Sequence, residues 1–367
     1  MKVSVGRNDF LQAMQTVGRF ASAKSPIPIL GGVKITAGDG CLTIEATDLE
    51  KGATMRTAAE VIEPGGIVVP ERVTTSLFNH LENGMVFLEK CGNTLRVKSG
   101  KSETVLSGYP SEEYPHLPEV KPEECAAVRV PPNVFKKAVR QTVFAASKDE
   151  KRPVFNSVFL KTSGANIEMA ATDTHRMAWF KTSLESVNQE TEAIIPSQVL
   201  NEISKIINAE NNMEILLSDK NAYFKTGNIS IVARLINGQY PDINTVIPKN
   251  RAAGFKVSAK EMLSALKRVF VLLDQDGAPV NMTAGPDGIV LHKESASCSA
   301  HEEVSAETLG DAGTVEIAFC CKYLIEAISV IHTDEIIIGV TGEMSPVIIE
   351  PAGEEGYLSL LMPVRLN

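Results

Sequence analysis

The sequence predicts an α+β protein built from three similar domains, each with antiparallel sheets and two helices. Three observations predict this fold class: segments that recur at nearly constant offsets, amphipathic helices of about three turns, and many short strands that alternate apolar and polar residues. Few helices among many alternating strands are typical of antiparallel α+β folds. A chain of 367 residues is also longer than one hydrophobic core usually serves.

The first recurring element is a helix. FLQAMQTVGRFAS at 10–22 aligns without gaps with FKKAVRQTVFAAS at 135–147, and MLSALKRVFVL at 262–272 is a third copy. Apolar residues at helical spacing predict an amphipathic helix in each copy. Short alternating segments, such as KVSV and AVRV, come just before these helices and predict strands that lead into them.

A second helix recurs in the same order. VVPERVTTSLFNHL at 68–81 matches IIPSQVLNEISKII at 194–207, and FCCKYLIEAISVI at 319–331 is a weaker third copy. Strand-like IVVP and AIIP lead into the first two copies. Each of the three units is therefore predicted to contain two successive copies of a strand–helix–strands module. We expect domain boundaries near 125 and 250, which gives domains 1–124, 125–250 and 251–367.

A third repeat suggests a hairpin. EATDLEKGATM at 45–55 resembles AATDTHRMAWF at 170–180, and alternating strands flank the second copy on both sides. Asp173 and Thr174 are therefore predicted at the turn, where an aspartate side chain can bond its own backbone. The first copy keeps the aspartate but lacks the histidine and arginine. Asp173 has an architectural role in this interpretation, whereas His175 and Arg176 require another explanation.

Composition and motifs exclude several classes of protein. The first residues, MKVSVGRNDF, enter a strand directly, without an apolar run long enough for a signal peptide or membrane span, so we expect a cytoplasmic protein. The six cysteines show no CxxC spacing and are interpreted as buried thiols; the adjacent Cys320 and Cys321 leave a redox pair as the alternative. Phosphate loops, nucleophile elbows and metal-binding helices are missing from the sequence, and we expect no cofactor, no metal and no catalytic residue. An enzyme that uses Asp173 and His175 as a general base pair is the alternative.

The charge is unevenly distributed. The net charge of −9 by itself argues against nucleic-acid binding. The six helical windows, however, carry a formal charge of +5 together, which leaves −14 on the rest of the chain. For any single helix a solvated face is the alternative, but the whole pattern favours a basic lining that attracts phosphates inside an acidic shell.

Helix dimensions limit how such a lining could surround DNA. Helices pack about 8–10 Å apart and are about 10 Å thick, so six in a circle leave a gap of about 9 Å. Twelve helices from two chains leave a gap near 28 Å. The two groove depths of B-DNA already sum to about 16 Å, so a duplex is too wide for the smaller ring. A dimer could encircle DNA, whereas a monomer could not.

The triplicated plan, together with ATDTHRMA, INGQYPDINTVIP and the C-terminal LMPVRLN, resembles the bacterial DNA polymerase III beta subunit family, the replicative sliding clamps, over the whole chain. The resemblance implies a head-to-tail homodimer, a ring of six domains with the sheets outside and twelve helices around duplex DNA. It implies no enzymatic activity and no sequence-specific readout. A clamp loader would open and close the ring, which would tether the polymerase.

The resemblance also implies site residues. Lys24 and the loop Lys148–Arg152 match DNA-contacting positions, and the predicted DNA-binding residues are Lys24, Lys136, Arg140, Lys148, Lys151 and Arg152. A pocket for short peptide motifs of the replicative polymerase alpha subunit, the clamp loader and repair proteins would be lined by Phe155, Thr172, Thr174, His175, Arg176, Met177, Pro241, Thr245, Val246, Met362, Pro363, Val364 and Arg365. In this interpretation His175 and Arg176 belong to the rim of that pocket.

For the dimer, the resemblance implies contacts of Leu106 with Leu272 and Leu273. Ion pairs from Arg96, Lys98 and Lys101 to Glu302 and Glu303 would accompany them, and ordinary surface charge is the alternative.

The sequence departs from the family pattern at a few pocket positions. Thr174 stands where the family usually has glycine, Met177 and Val364 replace an expected leucine and methionine, and Asn367 is an extra residue. These departures bear on which peptides the pocket prefers. A diverged duplicate of the clamp with a specialised role remains an alternative within the same family.

Overall fold

The computed structural model describes residues 1–184, 189–208, 212–248, 253–273, 278–294, 299–310, 313–340, 342 and 345–364. The chain forms two compact units. Unit 1 comprises Met1–Asn133 and Glu202–Leu235, and unit 2 comprises Val134–Asn201 and Ile236–Asn367. The middle repeat is thus divided between the two units. The domain boundaries near 125 and 250 stay a prediction.

Helices form at all six segments where the repeats predict them, and the described residues contain one further short helix. In chain order they are α1 Arg7–Val17, α2 Glu71–His80, α3 Pro132–Thr142, α4 Ser197–Ile206, α5 Ile243–Val246, α6 Ala259–Val271 and α7 Cys321–Ser329. The helices predicted at 10–22 and 135–147 end earlier than expected, because α1 and α3 tighten into 3₁₀ turns at Gly18–Phe20 and Val143–Ala145. None of the described helices is long and apolar enough to cross a membrane.

The strands are short and mostly alternate between buried and exposed side chains. In chain order they are β1 Lys2–Gly6, β2 Gly32–Gly38, β3 Cys41–Thr47, β4 Lys51–Ala58, β5 Glu60–Glu63, β6 Gly65–Pro70, β7 Met85–Cys91, β8 Thr94–Ser99, β9 Ser102–Ser107, β10 Tyr109–Pro110, β11 Ala126–Val130, β12 Ser157–Ser163, β13 Asn166–Thr172, β14 Arg176–Ser183, β15 Thr191–Pro196, β16 Met213–Leu217, β17 Asn221–Thr226, β18 Ile229–Arg234, β19 Ala253–Ser258, β20 Pro279–Gly285, β21 Gly288–Glu294, β22 Ser299–Val304, β23 Ala306–Leu309, β24 Val315–Cys320, β25 Glu335–Val340, β26 Val347–Pro351 and β27 Tyr357–Leu361.

Unit 1 contains two antiparallel sheets. The smaller has the strand order β5-β1-β7-β8-β9, and the larger has the order β10-β6-β2-β3-β4-β18-β17-β16-β11. The larger sheet joins strands of the first and second repeats through β4 and β18, which pair Met55 with Ile229 and Lys51 with Ala233. The phenyl rings of Phe10 on α1 and Phe78 on α2 are both fully buried, with centroids 4.3 Å apart, and so connect the two helices of the first repeat.

Unit 2 follows the same plan. One sheet has the order β15-β12-β13-β14-β27-β26-β25-β19-β23, and the other has the order β22-β21-β20-β24. Strands of the second and third repeats join through β14 and β27, which pair Arg176 with Leu361. An apolar cluster lies under this junction and consists of Ala170, Met177, Ile243, Ile348, Leu358 and Leu360. The predicted α+β class with antiparallel sheets and two main helices per repeat is therefore confirmed.

Candidate functional site

The β13–β14 hairpin is held by its own side chains. Asp173 Oδ1 accepts hydrogen bonds from the backbone N–H groups of His175 at 2.9 Å and Arg176 at 3.0 Å. The Thr172 hydroxyl donates to the Arg176 carbonyl at 2.7 Å and accepts from the Thr174 N–H at 3.1 Å. Such bonds from a short polar side chain to nearby backbone stabilise a tight turn. Asp173 thus has the architectural role that the sequence predicts.

Thr174 occupies the apex of this turn in a left-handed conformation. Its φ is 80°, which is unusual for a β-branched residue and common for glycine. Thr174 thus adopts a backbone conformation that a glycine at this position would adopt without strain. The four hydrogen bonds of Thr172 and Asp173 to the backbone of the turn hold Thr174 in a conformation that its side chain disfavours.

Arg176, which the sequence places at the rim of a peptide pocket, is the centre of a buried ion pair. Only 6% of the residue is exposed. Its Nε donates to Asp173 Oδ2 at 3.0 Å, its Nη1 pairs with the Glu326 carboxylate, and its Nη2 donates to the Phe144 carbonyl at 2.6 Å. The guanidinium carbon also lies 4.1 Å from the ring centroid of Tyr323. The side chain therefore connects the hairpin to α7 and to the 3₁₀ turn after α3.

A cavity of about 320 Å³ opens beside this ion pair. Its lining joins residues that the sequence assigned to separate sites, since Lys148 and Arg152 lie beside His175 and Arg176. The other lining residues are Ala146, Ser147, Asp173, Cys320, Lys322, Tyr323 and Glu326. Of the predicted pocket residues, the structure places His175 and Arg176 in this cavity.

Sequence reasoning missed the contribution of α7 to this cavity. Lys322, Tyr323 and Glu326 lie on α7, the third copy of the second helix, and in the sequence they look like ordinary helix-surface residues. The repeat at 319–331 was a signal for the helix, but only the pairing of β14 with β27 brings this part of the chain near the hairpin.

Exposed apolar side chains lie near the same hairpin. Val246 on α5, and Met362 and Val364 after β27, are 41%, 44% and 37% exposed. The Met362 N–H donates to the His175 carbonyl at 2.9 Å, which connects this segment to the hairpin. Of the other predicted pocket residues, Thr174, His175, Pro241 and Thr245 are exposed, and Phe155, Thr172 and Pro363 are half-buried. Met177 is buried in the apolar cluster below, and Arg365 lies outside the described residues.

Helix α5 is the one α-helix of the described residues that the sequence did not predict. The Asp242 carboxylate accepts a hydrogen bond from the Asn244 N–H at 3.0 Å and so caps this single turn. The preceding Tyr240 stacks on Phe159 with ring centroids 5.2 Å apart. Burial raises the pKa of the Tyr240 phenol, so the ring enters the core uncharged.

The cysteines behave only partly as expected. Cys320 and Cys321 are buried thiols, and burial raises the pKa of the Cys321 thiol to about 12. A neutral thiol is a poor nucleophile, so this environment disfavours the redox alternative. Cys91 is exposed and Cys41 and Cys125 are half-buried, so the expectation of buried thiols is wrong for these residues. Cys298 lies outside the described residues.

The general-base alternative conflicts with the hydrogen bonding of Asp173. One carboxylate oxygen accepts two backbone N–H groups and the other accepts from Arg176, so the carboxylate orients the turn and the guanidinium. His175 is exposed, and only its backbone N–H bonds to Asp173. A general base needs an orienting partner for its ring, and Asp173 does not act as one here.

The six predicted DNA-binding cations are all exposed. None of Lys24, Lys136, Arg140, Lys148, Lys151 and Arg152 forms an ion pair within the described ranges. By contrast, Lys137 pairs with Glu354 at 3.3 Å and Arg19 with Glu202 at 3.0 Å. Partial burial lowers the pKa of Arg140, but an arginine remains charged at neutral pH.

The loop that carries Lys148, Lys151 and Arg152 is ordered by its own polar groups. Asp149 Oδ1 accepts from the Lys151 N–H at 3.0 Å, and Asn156 Nδ2 donates to the Ser147 carbonyl at 2.6 Å. The Arg152 guanidinium lies 4.4 Å from the Phe155 ring centroid.

The predicted dimer residues differ in exposure from their neighbours, and their role in a dimer stays a prediction. Leu106 is only 8% exposed, whereas its neighbour Val105 is 56% exposed, because successive side chains of β9 point to opposite faces. Near the end of α6, Val271 is 80% exposed while Leu272 and Leu273 are half-buried. The apolar surface at these two places therefore comes mainly from the valines.

Most of the charges expected to face each other across a dimer already contact a partner within one chain, whereas Lys101 forms no ion pair in the part of the chain that the structure describes. Arg96 contacts Glu89 at 3.2 Å and Glu103 at 3.3 Å, and Lys98 contacts Glu103 at 3.3 Å. Glu302 pairs with Arg268, and Glu303 with His301 at 3.1 Å. A contact between chains would have to break these exposed ion pairs or add a further charge to them. Such exposed pairs contribute little to the stability of the single chain.

Comparisons with known proteins agree along the whole chain. Models of the DNA polymerase III beta subunit match in order: its N-terminal domain at residues 1–118, its central domain at 129–242 and its C-terminal domain at 244–365. The beta sliding clamps of Bacillus subtilis and Staphylococcus aureus are each 30% identical over 379 residues, and the alignments cover 100% of this chain and 100% and 99% of theirs.

Solved structures show the same fold. The crystal structure of the DNA polymerase sliding clamp from Bacillus subtilis matches with a TM-score of 0.95 at 29% identity, and that of the DNA polymerase III beta subunit from Thermotoga maritima with 0.93 at 26%. Each match covers 100% of both chains.

Replacing Arg176 tests its role as an ion-pair centre. Arg176→Met leaves Asp173 and Glu326 without their shared cation, and we expect a loss of about 3–5 kcal/mol in the free energy of unfolding. Urea unfolding measures this loss. The matched control is Lys181→Met on the same strand, which removes the more exposed pair with Glu168 and should cost no more than about 1 kcal/mol. Equal losses in the two variants would contradict the assignment.

Proposed function

The chain belongs to the DNA polymerase III beta subunit family, the beta sliding clamps, and we propose that it encircles duplex DNA as a head-to-tail homodimer in the cytoplasm. In this role it tethers the replicative polymerase to its template and has no catalytic activity of its own. One observation carries the proposal: the six cations predicted to bind DNA are exposed and form no ion pair within the described residues, although the chain has a net charge of −9.

The unpaired cations suit a non-specific phosphate surface. A lysine or arginine already paired with a carboxylate must break that pair to meet a phosphate, whereas Lys148, Lys151 and Arg152 need not. Contacts to phosphates carry no sequence information, which suits a protein that has to slide. The acidic remainder of the chain repels DNA and so restricts binding to this surface.

Two exposed sheet edges support the homodimer. Strand β9 ends the five-stranded sheet of unit 1, and β22 ends the four-stranded sheet of unit 2. Edge strands present unpaired backbone groups that can bond another chain. In the proposed dimer β9 of one protomer meets β22 of its partner, with Val105 and Val271 as the apolar contacts beside Leu106, Leu272 and Leu273. The contact is heterologous, so it must close by rotation to give a ring.

The exposed apolar groups around the hairpin support a docking site for peptides. Val246, Met362 and Val364 would receive apolar anchors of short motifs from the polymerase alpha subunit, the clamp loader and repair proteins. Each buried anchor contributes about 1.5–3 kcal/mol. A few such anchors give a roughly micromolar site, near −8 kcal/mol, which suits partners that must exchange.

Retention on closed DNA tests the ring directly. The dimer is loaded by a clamp loader onto a nicked circular plasmid, and the protein that stays bound is measured by gel filtration before and after the plasmid is cut once. A closed ring is retained on the circle and slides off the linear form. Equal retention on both forms would contradict encirclement.

The loop cations are tested through the salt dependence of DNA binding. Changing Lys148, Lys151 and Arg152 to alanine together should reduce the slope of log K against log salt by about 0.9 per lost contact, or about 2.7 in total. The control is Lys137→Ala, because that lysine is already paired with Glu354 and its loss should leave the slope nearly unchanged. An unchanged slope in the triple variant would exclude this loop from the DNA surface.

The peptide site is tested separately from the dimer. Combining Met362→Asp with Val246→Asp should weaken binding of a labelled clamp-binding peptide of the polymerase alpha subunit at least about tenfold, because each change removes an apolar contact. Native mass should remain that of a dimer. Ile62→Asp replaces an apolar residue on β5 that is 56% exposed, and it serves as the control. If the double variant loses the dimer and keeps the peptide, the site is misassigned.

A further inference from the structure

Unit 1 contains a second copy of the hairpin, between β3 and β4. Asp48 Oδ1 accepts from the N–H groups of Glu50 at 3.0 Å and Lys51 at 2.8 Å. The Thr47 hydroxyl donates to the Lys51 carbonyl at 2.8 Å and accepts from the Leu49 N–H at 3.0 Å. Leu49 has a φ of 79°, which matches the 80° of Thr174. The two turns therefore share the same hydrogen bonds and backbone conformation.

The strand beside each hairpin is also joined in the same way. The Arg234 N–H donates to the Glu50 carbonyl at 2.8 Å, just as the Met362 N–H donates to the His175 carbonyl at 2.9 Å. This register makes Arg234 the counterpart of Met362. It likewise makes Lys51 the counterpart of Arg176.

The chemistry at these equivalent positions is different. Lys51 has one carboxylate nearby, Asp48 at 3.8 Å, whereas Arg176 has two. Gly52 takes the place of Met177, and the Leu117 side chain covers it so closely that a Cβ on Gly52 would lie 2.2 Å from Leu117 Cδ2. At the turn, Leu49 is apolar and 55% exposed. The copy in unit 1 thus exposes an apolar apex, where the copy in unit 2 has a threonine.

A cavity of about 260 Å³ lies beside this hairpin. Leu49, Leu117, Pro118 and Val232 form its apolar part, and Thr47, Glu50, Lys51, Lys220, Asn221 and Arg234 form its polar part. The lining has three cations and one carboxylate. Lys220 and Arg234 are exposed and form no ion pair within the described part of the chain. An apolar floor beside unpaired cations is complementary to an apolar group flanked by carboxylates.

We propose that this cavity, the unit 1 cleft, is a second docking site, which binds an extended acidic peptide with one apolar anchor. The anchor contacts Leu49 and Leu117, and the flanking Asp or Glu side chains pair with Lys220 and Arg234. The hairpin beside this cleft has the same backbone hydrogen bonds as the hairpin beside Met362 in unit 2. Arg234 takes the place of Met362, so a cation replaces an apolar side chain and the preferred ligand changes from an apolar to an acidic segment. The unit 1 cleft would therefore recruit a different set of partners.

Fluorescence anisotropy on the full chain tests the proposal. One labelled probe is a short peptide with a single leucine between aspartates and glutamates, and its counterpart has lysines at the acidic positions. We expect the acidic probe to bind and the basic probe to bind at least about tenfold more weakly. Binding of the acidic probe should persist in the Met362→Asp, Val246→Asp variant, which separates this cleft from the site in unit 2.

Charge reversal in the cleft provides the second arm. Lys220→Glu with Arg234→Glu should weaken the acidic probe at least about tenfold, and Leu49→Ser should weaken it without changing the net charge. Lys225→Glu on β17, which does not line the cleft, is the matched control. The proposal would be overturned if the acidic probe did not bind or if both probes bound equally. It would also be overturned if the cleft variants left binding unchanged or if a short DNA duplex displaced the acidic probe completely. The cleft variants should load onto circular DNA normally, so failure of the cleft is distinguishable from failure of the clamp.

Discussion

The ion pair of Arg176 is the interaction on which the site in unit 2 depends. Its guanidinium binds the Asp173 and Glu326 carboxylates and the Phe144 carbonyl, and it packs on Tyr323. Burial of charge is costly, and a planar group with five donors offsets that cost only when nearly all donors are satisfied. The hairpin, α7 and the turn after α3 must therefore hold one mutual arrangement for the ion pair to form.

That arrangement positions groups which the guanidinium itself does not touch. The hairpin carries the His175 carbonyl, and this carbonyl holds the Met362 N–H. The exposed Met362 side chain is thus connected, through the His175 carbonyl, to a buried polar network. Burial also raises the pKa of Tyr323, with the Asp173 carboxylate as a further cause, so the phenol stays neutral beside the cation.

The repeats explain how hairpins with the same backbone structure expose different side chains. Asp48 and Asp173 make the same bonds to the backbone, while the residues around them differ: leucine against threonine at the apex, and arginine against methionine on the neighbouring strand. The backbone bonds maintain the turn, so the exposed positions can change without loss of the fold. The two hairpins therefore differ in surface chemistry although their backbone hydrogen bonds are the same.

The sequence by itself determined the features that arise from neighbouring residues. Helical spacing located the helices, alternation located the strands, and Asp173 was assigned to its turn because its hydrogen-bond partners lie two and three residues away. The tertiary structure decided what depends on distant residues. Glu326 is 150 positions from Arg176, so its pairing and the burial of the arginine have no local signal. Likewise, only packing decides that Leu106 faces the core while Val105 faces solvent, because alternation alone does not say which face of a strand is buried.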